Sequence, residues 1–117
     1  MSLLLILQSA PYASSNAKEA IDIALTAGTF DQKVSILFTE DACYQLMANQ
    51  QAQSIQQKNS AQMLKALPIY GINEILVDKE SLEKRSIINL DTEFNIRQLS
   101  KVEIKSLYQH AKTVLRF

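Results

Sequence analysis

The chain has 117 residues, 47% of them hydrophobic, and its twelve Lys and Arg balance twelve Asp and Glu to a formal net charge of zero. That length fits one domain, residues 1–117, with a genuine core. The lack of any Lys/Arg block argues against a dedicated duplex-binding surface. A single cysteine, Cys43, excludes an internal disulfide and every Cys-rich metal site, and a reducing compartment is the simpler expectation. Near-zero charge also gives weak protection against association, which favours a chain that works in a complex.

The chain opens on the apolar run Leu3–Leu7. It is too short for a secretion signal, and no basic residue precedes it. No stretch approaches a membrane span, so the expected compartment is the cytoplasm. The run is continuous rather than alternating, as in a strand covered on both faces within a parallel sheet. A small polar loop follows, from Gln8 to Ser15 with Pro11 inside it. Ser15 or Asn16 can cap the next helix. Ala17, Ala20, Ile21, Ala24, Leu25 and Gly28 fall on one side of that helix, with Lys18, Glu19, Asp22 and Thr26 away from it. Gly28 suits its end.

Val34–Phe38 reads as the second strand. Thr39-Glu40-Asp41 turns the chain, with Asp41 as the expected cap of a short helix from about Ala42 to Met47. Ala48–Asn59, rich in Gln, Asn and Ala, reads as an exposed loop or frayed helix. Ser60 can cap another helix with Met63, Leu64 and Leu67 inward, stopped by Pro68 and Gly71. Glu74–Val77 is a short third strand. Asp78–Ser86 is a charged surface helix with Leu82 inward, and Asp78 is its expected cap. Phe94 and Ile96 alternate with polar neighbours in a short strand. Ser100 and Glu103 match a capping box. Ile104, Leu107, Tyr108 and Ala111 mark the face of the helix that follows, and Thr113–Phe117 is the last strand. The order β-α-β-α-α-β-(α)-β-α-β implies a three-layer α/β/α sandwich with a mostly parallel, five-stranded sheet.

The stretch Val34–Met47 holds the one thiol, at a strand's carboxyl end, where ligands gather in open α/β sheets. A first-turn position for Cys43 would favour a thiolate. Glu40 and Asp41 beside it oppose one, and a buried cysteine more commonly packs as a small hydrophobe. Asp78 is also a cap by its pattern, yet it stands on the side of the sheet where sites form. His110 is alone, so it makes no metal site, and its place late in a helix suits the surface and the helix dipole. With only Gly28 and Gly71 in the chain, neither a dinucleotide fingerprint nor a phosphate loop can be built, and no G-x-S-x-G elbow occurs. No cofactor and no metal are expected. Tyr12, Tyr44, Tyr70 and Tyr108 are scattered and read as core or interface residues.

Laid out in this way, the chain resembles the DsrE/DsrF-like family of small α/β sulfur-relay proteins, and within it the DsrF/TusC type of subunit. The likeness rests on Ser9-Ala10-Pro11-Tyr12 after the first strand and on Glu19 and Asp22 in the first helix. It continues through Phe38, Glu40-Asp41 and Tyr44-Gln45-Leu46 to Leu64-Lys65-Ala66-Leu67 and Tyr70-Gly71-Ile72. Glu74–Val77, Ser81-Leu82-Glu83-Lys84-Arg85 and the final Val114-Leu115-Arg116-Phe117 complete it. Ala13 and Ala42 stand where members of the family often have glycine.

The resemblance implies a place in a cytosolic heterohexamer with TusB-like and TusD-like subunits. Such assemblies pass persulfide sulfur to a TusE-like carrier and on to 2-thiouridine at the tRNA wobble position. DsrE, DsrF and DsrH subunits are the counterparts in sulfur oxidation. The sulfur-carrying cysteine of the family belongs to the DsrE/TusD type of subunit, after the third strand. The corresponding position here is near Asp78, which cannot carry sulfur. The resemblance therefore implies a structural subunit with no catalytic residue that completes a partner's site, and the lack of a basic patch or an apolar span adds the expectation of no membrane contact and no direct nucleic-acid contact of its own. The alternatives are a sulfurtransferase acting through Cys43, and a homo-oligomer of the same fold with a role in sulfur oxidation or regulation.

Overall fold

In a computed structural model, which describes residues 2–8, 16–29, 33–47 and 64–117, the apolar runs become strands of one sheet. The strands are β1 (Ser2–Leu7), β2 (Lys33–Phe38), β3 (Ile75–Asp78), β4 (Ile96–Leu99) and β5 (Thr113–Arg116). Among the described residues the strands are connected by the helices α1 (Asn16–Thr29), α2 (Lys79–Lys84) and α3 (Lys101–His110). Two 3-10 segments, Glu40–Leu46 and Leu67–Tyr70, lie between β2 and β3, the second entered from helical residues 64–66. The strand order is β4-β3-β2-β1-β5, and every neighbouring pair is parallel. Leu7 pairs with Phe38 and Phe38 with Val77, so the carboxyl ends of the three inner strands lie level.

Side-chain alternation divides the core. Leu5, Leu7, Ile36, Phe38, Ile75 and Val77 point to one face and pack with Ala20, Ile21 and Ala24 of α1. Cys43, Leu46, Leu64, Leu67, Leu82, Ile87 and Phe94 fill the same cluster. Leu4, Ile6, Leu37, Leu76 and Leu99 point to the other face, where Ile104, Leu107, Tyr108 and Ala111 of α3 meet them. Leu4 through Leu7 are thus all buried, as the unbroken run requires. The two faces are unequal, since no residue of α3 is fully buried. Among the described residues, α3 is the one helix packed on its face, and it crosses from the end of edge strand β4 to the start of edge strand β5.

Several boundaries differ from the sequence reading. The expected α-helix at Ala42–Met47 is a 3-10 segment, and Asp41 is not its cap. The cap position is Thr39, which makes no side-chain bond there, while the Asp41 carboxylate binds Arg85. Phe94 lies ahead of β4 and is buried in the larger cluster. Asn16 opens α1, which runs one residue beyond Gly28. The Asp78 cap and the Ser100 capping box form as expected: Ser100 Oγ accepts the Glu103 N–H at 3.3 Å, and Glu103 Oε1 accepts the Ser100 N–H at 3.1 Å. These bonds hold the Glu103 carboxyl below its ordinary pKa. The expected caps Ser15 and Ser60, the inward Met63 and the stretch Ala48–Asn59 lie outside the described residues. Among the described residues no helix is long and apolar enough to cross a membrane.

These environments rank the cost of two substitutions. Leu5→Ala removes a side chain with no exposure from the centre of the larger cluster and should cost about 2–5 kcal/mol in urea unfolding. Ser100→Ala removes a capping box at the surface and should cost about 1 kcal/mol. Equal losses would contradict this account of where stability lies.

Candidate functional site

The carboxyl ends of β2 and β3 carry a connected polar cluster. Asp78 closes β3 and caps α2, with Oδ1 accepting the Glu80 N–H at 3.1 Å. Its Oδ2 accepts the Ser81 hydroxyl at 3.0 Å. Ser81 is only 4% exposed, and its Oγ in turn accepts the Glu40 N–H at 3.0 Å. One turn along α2, the Arg85 guanidinium reaches back to the chain after β2. Nη2 meets Glu40 Oε2 and Nε meets Asp41 Oδ1, each at 3.0 Å, while Nη1 donates to the Ser81 carbonyl at 3.4 Å. A forked cation held by two carboxylates and a carbonyl is a geometric lock as well as a charge pair. Both carboxylates are largely exposed, which keeps the purely electrostatic contribution small.

Cys43 lies beneath this cluster, with no exposure, between Ala42 and the 3-10 segment's Leu46 in the larger core. Its Sγ donates to the Phe38 carbonyl at 3.6 Å. Burial pushes the thiol from its ordinary 9.0 up to about 12. The Arg85 charge pulls the other way, and the charges of Asp78 and Glu40 add to the rise. A thiolate is the nucleophilic form of cysteine, and this environment withholds it at neutral pH. In the next side chain but one, Gln45, both amide atoms are buried without a hydrogen-bond partner, a cost of about 1–3 kcal/mol for each group.

The other candidates lie apart. The Ser2 hydroxyl donates to the His110 carbonyl at 3.2 Å, which puts His110 beside the amino end of β1, opposite to Cys43 and Asp78. His110 Nδ1 is 2.7 Å from the Ser106 carbonyl oxygen, which can only accept, so Nδ1 carries a proton. Tyr108 Oη accepts from Arg116 Nη2 at 3.2 Å, and the guanidinium carbon stands 5.4 Å from the ring centre. Tyr44 packs partly buried against the larger cluster, Tyr70 is exposed, and Tyr12 lies outside the described residues. Glu19 and Asp22 are exposed on α1. No group of three or more His, Cys, Asp or Glu able to hold a metal occurs among the described residues. Reasoning from residue types missed the roles of Ser81 and Arg85. Their spacing of four, from α2 to the residue that ends it, was a faint signal, and the turn both of them bind lies more than forty residues away.

The comparisons with known proteins agree with this architecture. The sequence model of the DsrE/DsrF-like family matches residues 1–117. The chain belongs to the DsrE/DsrF-like family. It is 33% identical over 114 residues to a protein named TusC homolog from Pseudomonas aeruginosa, covering 97% of this chain and 96% of that one. It is 37% identical over 84 residues to the intracellular sulfur oxidation protein DsrF of Allochromatium vinosum, covering 72% of this chain and 62% of that one. The crystal structure of the YchN protein from E. coli superposes on it with a TM-score of 0.77 over the whole of both chains at 17% identity, which shows the shared fold.

The buried thiol makes two measurable differences. At pH 8 about one Cys43 in ten thousand is ionised if its pKa is near 12, so iodoacetamide should modify the folded chain only as fast as it opens. Rapid labelling without denaturant would contradict this. The folded thiol ionises near 12 and the unfolded one near 9.0. Its stabilising contribution is therefore fully present below pH 9 and is lost as pH rises towards 12. Cys43→Ala should accordingly lose less stability than the parent between pH 9 and pH 12.

Proposed function

We propose that this chain is a TusC-type subunit of a sulfur-relay complex and serves it structurally, positioning a partner's sulfur-carrying site. One observation carries the proposal: both carboxylate oxygens of Asp78, at the carboxyl end of β3, are engaged in capping α2. The family resemblance puts the sulfur carrier of DsrE/TusD-type subunits at this position. Persulfide relay needs a thiolate that attacks the outer sulfur of a donor persulfide and releases the donor thiolate. A carboxylate cannot form that bond, and Cys43 is buried and protonated. The named relatives support the same reading, since they include TusC homologs and a DsrF.

On this reading residues 1–117 act as one domain in the cytoplasm, with TusB-like and TusD-like subunits in a heterohexamer. Sulfur bound on the TusD-like partner passes to a TusE-like carrier for 2-thiolation of the wobble uridine. This chain supplies no cofactor, no metal and no nucleic-acid contact. The DsrF relative keeps sulfur oxidation as the competing pathway.

Native mass spectrometry of the tagged chain from its own cells should show two other small subunits in equal copy number. Deletion of its gene should remove 2-thiouridine from tRNA, and Cys43→Ala should restore it. Isolation as a monomer or homo-oligomer would overturn the assembly. Unchanged 2-thiouridine would shift the pathway to sulfur oxidation. Failure of Cys43→Ala to complement, with the complex intact, would make Cys43 a carrier after all.

A further inference from the structure

Three described residues have positive φ: Glu40 at 51°, Ser86 at 52° and Gly71 at 86°. Glycine adopts this conformation freely, whereas the Cβ of any other residue disfavours it roughly tenfold. The two non-glycine cases both adjoin Arg85. Ser86 follows it and is dictated by how α2 ends: the Ile87 N–H reaches the Leu82 carbonyl at 3.0 Å, and the Ser86 N–H reaches Glu83 at 3.2 Å. Leu82 and Ile87 are buried together beneath that turn. This helix ending ordinarily carries glycine at the left-handed position, and here a serine holds it.

Glu40 is left-handed for a different reason. Its own turn supplies no glycine: the Ala42 N–H closes that turn on the Thr39 carbonyl at 3.1 Å, and the side chains that bind Glu40 come from Ser81 in α2 and from Arg85 just after it. Its N–H is bound by Ser81 and its carboxylate by Arg85, which also binds the next residue, Asp41. Strain of this kind persists only where the surrounding structure over-determines it, and it clusters at clamps and switch regions. The Thr39 N–H stays tied to the Leu7 carbonyl at 2.9 Å, so β1 fixes one end of the turn and α2 holds the other.

We infer that Arg85 and Ser81 form a clasp holding the turn after β2 in a strained position, and that the turn relaxes to a right-handed backbone at Glu40 when Arg85 lets go. The clasped turn, Asp78 and the start of α2 then form one rigid surface at the carboxyl end of the sheet. The released turn uncouples β2 from α2 while the sheet stays intact. This device is independent of the sulfur-relay reading, because it rests on the backbone and bonds of this chain alone.

Amide hydrogen exchange on the full-length chain tests it. Arg85→Met keeps the apolar stem and removes the fork. It should raise exchange at Glu40, Asp41 and Ala42 at least tenfold while the amides of β1 and β3 keep their rates. Unchanged exchange at the turn overturns the clasp, as does an equal rise throughout the sheet. If Arg85→Met does not fold, Arg85→Lys is measured in its place with the same expectation. A second comparison reads the strain itself. Glu40→Gly and Glu40→Ala both lose the carboxylate, and the glycine variant should melt at the higher temperature. Equal Tm values, or a higher Tm for alanine, would show that no left-handed strain is held there.

Discussion

Burial of β1 on both faces is the constraint that organises this molecule. Leu5 and Leu7 face one layer, and Leu4 and Ile6 face the other. Burying an aliphatic side chain of this size contributes about 1.5–3 kcal/mol, so both layers must exist for the strand to be worth forming. β1 also pairs on both edges, with β2 and with β5. Parallel pairing obliges the chain to cross over the sheet between strands, and the crossovers supply the cover. The layer containing α1 is thick and includes both 3-10 segments. Among the described residues the layer containing α3 is one helix deep, and none of that helix is fully buried.

The level carboxyl ends of β1, β2 and β3 create the place where chemistry ordinarily collects in an open α/β sheet. Here that place is filled from within. Asp78 caps α2, Ser81 satisfies both Asp78 and the Glu40 N–H, and Arg85 pairs with both Glu40 and Asp41. The side chains of Glu40, Asp41, Asp78, Ser81 and Arg85 all have partners in this cluster, and the thiol below is held protonated by its burial.

The inner strands, α1, α3 and the caps at Asp78 and Ser100 were legible because each rests on local signals. An unbroken aliphatic run, a helical apolar stripe, and an Ser100–Glu103 pair three apart depend on nothing distant. Asp41 was misread for the same reason. A cap is a local inference, and the Arg85 that claims its carboxylate lies 44 positions away. The 3-10 geometry of Glu40–Leu46 was equally hidden, since the Glu40 N–H at its start is bound by Ser81 from another element. The burial of Cys43 depends on Phe38 and Leu46 closing around it, where local dipole reasoning speaks only of the helix start.

The pairing of β1 with β5 has a consequence for how the chain is made. Leu3 and Leu4 align with Thr113 and Val114, so one edge of the central strand is completed by residues about 110 positions later. During synthesis the β1–β2 pair and α1 can assemble early, but the second edge of β1 stays open until β5 has emerged. An aliphatic strand edge left open in a partly made chain invites pairing with other chains. Contacts this distant in sequence also slow folding. The last strand is therefore the one that closes the sheet, and the time taken to reach it sets how long the nascent chain remains adhesive.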